Sequence, residues 1–501
     1  MRKAFRRACA ALSACLCLAW LMPAFAAAAP LSDVPDDHWA QAYVTQALEL
    51  GLMDRQQDGS FGLHQPMTRA DFVAALCRVF QWETVSPETS FYTDNQNPSA
   101  WYYSAIETAR ANGALTVQTP LCRPNDAITR EEVAVMLVRA LGYGPISGLA
   151  QELRVPFQDL NTNVGYISMA YELGLVNGTS SSAFSPNEPT TREQAAVFLI
   201  RVWTKLHAAA PAVCGVASSA DGLDLKGIDA VAVPAVKLAY HGSSKIADNM
   251  NDTEVRSIRA IAEECRTKQL LYVSGDTSIL RSDSSETAYD IVSEVRRGSW
   301  DGVMLDLPGL GMSYRTGYTL LASALRSALP EGKLLYVVAD SPVRQGDSPQ
   351  GYDYTMLSAR ADRLILRTAS YNMQVNQFFT APLEPMEEIY YALAEMKGKV
   401  PTDCLSLWIT STGVSGTSSI PLPQLAQITS NPYATYYYAQ RYESPYLTYI
   451  LYDQPITVWY HNRQSVQARR QLASLFNCNH ICLSSLSGPL DQENGILAAL
   501  Q

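Results

Sequence analysis

The sequence predicts a multidomain chain, an all-α repeat bundle followed by an α/β (β/α)8 barrel. Two observations carry this. A Thr-Arg pair opens a helix-like stretch three times in the first half: Met67-Thr68-Arg69-Ala70-Asp71, Ile128-Thr129-Arg130-Glu131-Glu132 and Thr190-Thr191-Arg192-Glu193-Gln194. The period is about sixty residues, which marks a repeat module. After residue 213, short apolar β-like runs alternate with helical stretches to the end of the chain, as in a parallel sheet built from crossover units.

The N-terminus reads as a secretory leader over residues 1–29. Arg2, Lys3, Arg6 and Arg7 form a basic region, Ala8 to Leu21 an apolar one, and Ala24-Phe25-Ala26 a small-residue cleavage site. The apolar run is shorter than the roughly 20 residues of a spanning helix, so the mature chain is expected to be exported without a membrane span. Leu12-Ser13-Ala14-Cys15 has the look of a lipobox, but apolar residues continue past Cys15.

Each copy of the repeat follows one plan. An Asp-bearing loop leads: Asp33, Asp94 or Asp159. A helix with apolar residues at helical spacing comes next and stops at Gly51, Gly113 or Gly174, each suited to a left-handed C-cap. A loop with Pro66, Pro124 or Pro186 leads to the Thr of the Thr-Arg pair. That Thr fits an N-cap, and Asp71, Glu132 or Glu193 meets the positive end of the helix dipole.

These residues resemble the S-layer homology domain. The resemblance rests on Asp33-Val34, His38-Trp39-Ala40, Gly51-Leu52, Phe61 and Thr68-Arg69-Ala70-Asp71, with counterparts in the other copies. It implies repeats at 30–83, 90–144 and 154–207, joined in a pseudo-threefold bundle that docks non-covalently on secondary cell-wall polysaccharide. Carried over, the polymer-facing residues are Arg69, Arg130 and Arg192 with Trp39 and Trp101. Copy three has Asn163-Val164-Gly165 in place of a Trp. A guanidinium suits a sugar-borne carboxylate. The bland alternative is that these arginines brace the bundle.

A linker at 208–213 precedes a barrel expected over 214–501. Its strands are read at Ile228 to Val233, Leu270 to Val273, Gly302 to Leu305, Leu334 to Ala339, Arg363 to Leu366, Leu405 to Ile409, Ile456 to Tyr460 and Ile481 to Leu483. Helices are read at Asp252 to Lys268, Glu286 to Arg297, Tyr318 to Leu329 and Pro385 to Lys397. The segments Trp300 to Asp306, Leu325 to Pro330, Gly351 to Tyr354 and Val458-Trp459-Tyr460 with Ser465 resemble glycoside hydrolase family 18, in the branch of spore and cell-wall glucosaminidases.

The departures from that family decide the functional expectation. Its fourth strand carries D-G-x-D-x-D-x-E, the Glu being the general acid. Here Met304 replaces the first inner Asp and Pro308 stands at the Glu. Proline has no proton to give. Arg367-Thr368-Ala369-Ser370 stands where the family has Met-x-Tyr-Asp, and Ser484 or Ser485 where it has the last-strand Trp. The expectation is a wall-anchored surface protein whose barrel is a pseudoenzyme that binds glycan. The alternative is an active wall-bound hydrolase of peptidoglycan or chitin-like polymers using the strand-end carboxylates Asp306, Asp340 and Asp276. The third is a spacer that binds nothing. Strand-end Asp residues also serve as helix caps, and Asp276-Thr277 and Asp340-Ser341-Pro342 fit that role. The tyrosines at 436–438, 442, 446 and 449 suit either a sugar cleft or packing.

The remaining composition excludes more than it indicates. A formal net charge of −10 argues against nucleic-acid binding. The six histidines show no ligand spacing, so no metal or cofactor is expected. Outside the leader, Cys77, Cys122, Cys214, Cys265, Cys404, Cys478 and Cys482 form no disulfide framework.

Overall fold

A computed structural model of the chain describes residues 31–116, 119–144, 147–148, 150, 155–207, 209–240, 244–344, 349–368, 381–488 and 495–500. The leader with its Cys15 motif, and Ala369 and Ser370, lie outside the described residues. No described helix is long and apolar enough to cross a membrane.

The N-terminal part is helical: α1 Gln41–Glu49, α2 Arg69–Phe80, α3 Tyr103–Ala111, α4 Arg130–Ala140, α5 Val164–Glu172 and α6 Arg192–Leu206. The punctuation is as the sequence predicts except at Thr191, whose buried hydroxyl caps no backbone N–H. Gly51, Gly113 and Gly174 have φ of +65°, +76° and +68°, conformations that side chains with a Cβ resist. Thr68 accepts from the Asp71 N–H, and Thr129 with Glu132 forms a capping box. The leading aspartates clamp the loop of their own copy. Asp33 accepts from the N–H groups of Phe61, Gly62 and Leu63, Asp94 from Cys122 and Arg123, and Asp159 from Phe184 and Ser185.

The three Thr-Arg segments meet at a shared seam. Met67 N–H donates to Thr190 O, Thr190 N–H to Ile128 O, and Ile128 N–H to Met67 O, so the chain of hydrogen bonds closes on itself. The helix pairs close the same way: α1 packs on α6, α3 on α2 and α5 on α4. Phe61, Phe72, Leu76, Ile128, Leu137, Phe184 and Leu199, drawn from all three Thr-Arg segments and the loops before them, are buried in one apolar core.

The C-terminal part opens with β1 Ala212–Val216, β2 Ala230–Tyr240 and β3 Ser244–Asp248, then α7 Asp252–Cys265, β4 Lys268–Gly275, α8 Ser284–Arg297 and β5 Gly302–Asp306. It continues through α9 Arg315–Ala328, β6 Leu334–Asp340, α10 Tyr354–Ser358, β7 Arg363–Arg367, α11 Met386–Met396 and β8 Leu405–Ile409. It closes, after an insertion, with α13 Arg463–Leu475, β14 His480–Leu483 and α14 Ile496–Leu500. Strands β1, β2, β4, β5, β6, β7, β8 and β14 are each parallel to the next, and β14 returns to β1. This is a closed eight-stranded barrel, with β3 added antiparallel to β2.

Two strands differ from the sequence expectation. Ala212–Val216 is the first barrel strand, although residues 208–213 read as linker. The run at Ile456 is not a barrel strand. It belongs to an insertion between β8 and α13, comprising β9 Gly413–Ser415, β10 Ser418–Ile420, α12 Leu422–Thr429, β11 Thr435–Ala439, β12 Ser444–Leu451 and β13 Gln454–Trp459. Its five strands form an antiparallel sheet in the order β10-β9-β13-β12-β11. A short apolar run looks alike in both settings, and only pairing separates them: β13 meets β12 through the tight turn at Tyr452-Asp453.

Candidate functional sites in the helical ring and the barrel mouth

The strand period of two sets the barrel mouth. Met304, Val338, Ile365 and Trp408 point into the barrel, in an apolar cluster with Cys214, Ala232, Leu270 and Cys482. Two residues further along β5, β6 and β7 stand Asp306, Asp340 and Arg367, which therefore share the next layer at the carboxyl ends of the strands. That is the end where barrel active sites lie.

The guanidinium of Arg367 fills that layer. Nη1 and Nη2 pair with Asp306 Oδ2 and Oδ1 at 2.8 and 3.1 Å, and Nε donates to Asp340 Oδ1 at 2.7 Å. The Tyr272 hydroxyl donates to Asp306 Oδ2 at 2.7 Å. Asp340 Oδ2 takes the Gly309 N–H at 2.6 Å and lies 3.0 Å from the Tyr352 hydroxyl. The Arg367 guanidinium sits 5.5 Å over the Trp408 ring. Burial works against the Arg367 charge, but the two carboxylates outweigh it and raise its pKa further above the usual range. Burial and the adjacent Asp306 push the Tyr272 phenol up as well.

The remaining sequence candidate lies apart from this layer. Asp276 is exposed and caps a short 3-10 turn by accepting from the Ser278 N–H at 2.8 Å. Asp301, of the Asp301-Gly302 pair, accepts from the Gln269 N–H at the opposite end of β5. Gly302 is needed for close packing, since a Cβ there would stand 2.2 Å from Leu334 O.

In sequence, Arg367 stands out only as a departure from the family pattern, with no evident partner. Its signal was available: Arg363, Ile365 and Arg367 share one strand face, so a cation terminates an inward-pointing row. A second polar cluster gave no sequence signal. Buried His461 is 2.8 Å from Glu384 Oε2 and 3.1 Å from Ser465 Oγ. Buried Arg469 donates to the carbonyls of Leu383, Glu384, Glu443 and Ser465 and to Ser444 Oγ. Four of those five acceptors lie outside the arginine's own helix, so Arg469 ties α13 both to the segment before α11 and to the insertion. Burial, then Arg469, lowers the His461 pKa to about 4.

In the helical ring, the motif arginines turn inward. Arg69, Arg130 and Arg192 donate from Nε to the carbonyls of Cys122, Phe184 and Phe61, each in another copy. Arg130 and Arg192 also stack over Phe184 and Phe61 at 4.8 and 5.0 Å. Arg69 pairs with Glu132 at 2.8 Å. Each of these arginines thus holds a carbonyl of a neighbouring copy through its Nε.

Two grooves run between the copies. One, of about 510 Å3, is lined by Arg69, Tyr92, Arg123, Glu132, Arg139 and Tyr166, among others. The other, of about 170 Å3, is lined by Asp54, Arg78, Trp101 and Arg192, among others. Arg192 and Trp101 therefore meet in one groove, and Arg69 lines the other, where Asn163 and Tyr166 stand in place of a Trp. Arg78 and Arg139 occupy equivalent helix positions in the two grooves, a role the sequence reading did not assign. Trp39 and Trp101 are 60% and 64% exposed. Nothing in the packing explains an indole so placed.

Comparison with known proteins agrees with both halves. The S-layer homology domain family matches residues 30–73 and 156–196. An endoglucanase of Bacillus sp. (strain KSM-635) is 31% identical over 177 residues, which cover 33% of this chain and 18% of that protein. An S-layer protein of Bacillus thuringiensis subsp. finitimus is 24% identical over 180 residues, covering 36% and 22%. The chain thus spans less than a quarter of these relatives' lengths. A class V chitinase from Pseudomonas fluorescens Pf-5 superposes with a TM-score of 0.52 at 18% identity, over 58% of this chain and 99% of that one. With S-layer homology sequence on its N-terminal side, the chain is a secreted protein of the cell surface, associated with the cell wall.

Proposed function

We propose that the helical part acts as one pseudo-threefold bundle, with repeats at 30–83, 90–144 and 154–207, and holds the protein on secondary cell-wall polysaccharide. On this reading the barrel that follows from about residue 214 binds peptidoglycan or a related glycan without cleaving it. The exposed Trp39 and Trp101 offer flat apolar faces to sugar rings. Arg78 and Arg139, with the edges of Arg69 and Arg192, bring positive charge to the grooves for an anionic polymer. Arg130 serves the seam.

The observation that carries the barrel reading is Arg367 held between Asp306 and Asp340. A glycosidase needs one carboxyl to give a proton and another group to act as base or nucleophile. Here both mouth carboxylates are committed to one cation, and Pro308 stands where the family acid is expected. The competing reading, a wall-bound hydrolase, draws on the fold shared with a chitinase and on these same two carboxylates. Reducing-end release from peptidoglycan and chitin oligomers by the full chain separates them, with Asp306→Asn as control. We expect no release above the control, together with measurable retention on both glycans. Release that Asp306→Asn abolishes would establish the hydrolase, and no retention on either glycan would leave the barrel a spacer.

A further inference from the structure

The outermost strand of the insertion sheet, β11, ends that sheet at an open edge. It pairs with β12 on one side, and among the described residues no strand pairs with the other. An unpaired edge offers a row of backbone N–H and C=O groups to any passing strand. Proteins usually guard it with charge, proline or a bulge. Thr435-Tyr436-Tyr437-Tyr438-Ala439 has none of these, and no charged residue occurs from Asn431 to Gln440. Its β-branched and aromatic composition favours further strand pairing.

The edge is also ordered by its neighbours. Tyr437, Tyr446 and Trp459 sit opposite one another on β11, β12 and β13. Their rings pack in a row, with centroids 4.9 Å apart for Tyr437–Tyr446 and 4.6 Å for Tyr446–Trp459. Tyr437 is the end of that row, and its outer face has no ring against it among the described residues. Around the edge, Tyr433 and Tyr452 are 88% and 91% exposed, and Tyr436, Ile450 and Leu451 are exposed too. An aromatic side chain presents about 200 Å2, so the exposed parts of Tyr433, Tyr436 and Tyr437, on and just before β11, amount to roughly 360 Å2. That places the contact among weak, reversible interfaces, below about 600 Å2 per partner.

We propose that β11 is a self-association edge. It pairs antiparallel with β11 of a second copy about a twofold axis near Tyr437, joining two five-stranded sheets into one. A twofold contact requires one patch to be its own complement. An uncharged strand meets this condition without like-charge repulsion, even in a chain of net charge −10. The aromatic row would continue across the axis through the two Tyr437 rings. Because Tyr437 is already stacked, little side-chain freedom is lost on association.

The test is sedimentation velocity of the full chain over a concentration series in the micromolar range. Wild type is compared with Tyr437→Lys, and with Thr435→Lys, which alters an exposed side chain outside the aromatic row. We expect a monomer–dimer equilibrium in wild type, weakened at least tenfold in both variants while their melting curves stay close to wild type. A wild-type chain that is monomeric throughout overturns the proposal, as does a dimer that either folded variant leaves intact. A monomer whose tyrosine fluorescence answers to chitin oligomers would overturn it in favour of a sugar platform.

Discussion

Arg367 and Asp306 form a two-point ion pair across the barrel mouth, Nη1 to Oδ2 at 2.8 Å and Nη2 to Oδ1 at 3.1 Å. Asp306 is buried, and that partner offsets the cost of taking it out of water. Isolated charges in such a place are costly, whereas a buried pair replaced as a unit is often tolerated. Arg367→Met is expected to destabilise the barrel by about 3–5 kcal/mol, measured by denaturant unfolding. Arg367→Met with Asp306→Asn and Asp340→Asn should recover most of the loss. A single variant as stable as wild type would show that the pair does not carry the layer.

The seam arginines and the groove arginines should part company in mutagenesis. Arg130→Ala strips hydrogen bonds from the carbonyls of Phe184 and Asn177 and removes a cation stacked on Phe184. A loss of about 2–4 kcal/mol in bundle stability is expected. Arg78→Ala with Arg139→Ala removes bonds to Asp54 and to the carbonyls of Gly51, Leu52, Gly113 and Leu115 and should cost about 1–2 kcal/mol, yet weaken retention on purified wall sacculi at least tenfold. Unchanged retention by the folded double variant would remove these residues from the binding face.

Acid should loosen the helical part. At Asp33 burial opposes the charge, but three backbone N–H donors outweigh it and hold the pKa below its ordinary 3.8. Asp94 and Asp159 are depressed in the same way. A carboxyl with a lowered native pKa adds stability that is present above the unfolded value and lost as pH falls through the native one. Helical circular dichroism against pH should therefore hold level above about pH 4 and fall below it. Asp33→Asn should lower bundle stability at neutral pH and lessen that dependence; an unaltered acid limb would contradict the assignment.

His461 sets a different window. Its pKa falls from 6.5 to about 4 on burial, so the unfolded chain takes up the proton first. Stability of the C-terminal half should be level above pH 6.5 and decline by up to about 1.4 kcal/mol per unit from there toward pH 4. Replacing His461 by Gln should flatten that segment in pH-dependent urea unfolding.

Much of this architecture was legible in local sequence. The Thr68 and Thr129 N-caps, the glycine C-caps and the Asp clamps recur at fixed places, because each satisfies backbone groups within one copy. The β5 to β8 runs were placed within a residue or two, since buried parallel strands read as continuous apolar stretches.

Local patterning therefore carries the kind and order of elements: helical S-layer homology-like segments, then a barrel, with Pro308 and Met304 in the phase of β5 where the family has carboxylates. Tertiary structure alone decided which elements close on one another and which charges meet. Closure requires pairing over long sequence separations, so Ala212–Val216 became a barrel strand by meeting β14 and β2, while the Ile456 run joined the insertion sheet through its hairpin. Arg367 met Asp306 and Asp340 because three strands far apart in the chain share one strand phase. The motif arginines faced the seam, not the solvent, because the carbonyls of the neighbouring copy lie within reach only once the ring has closed.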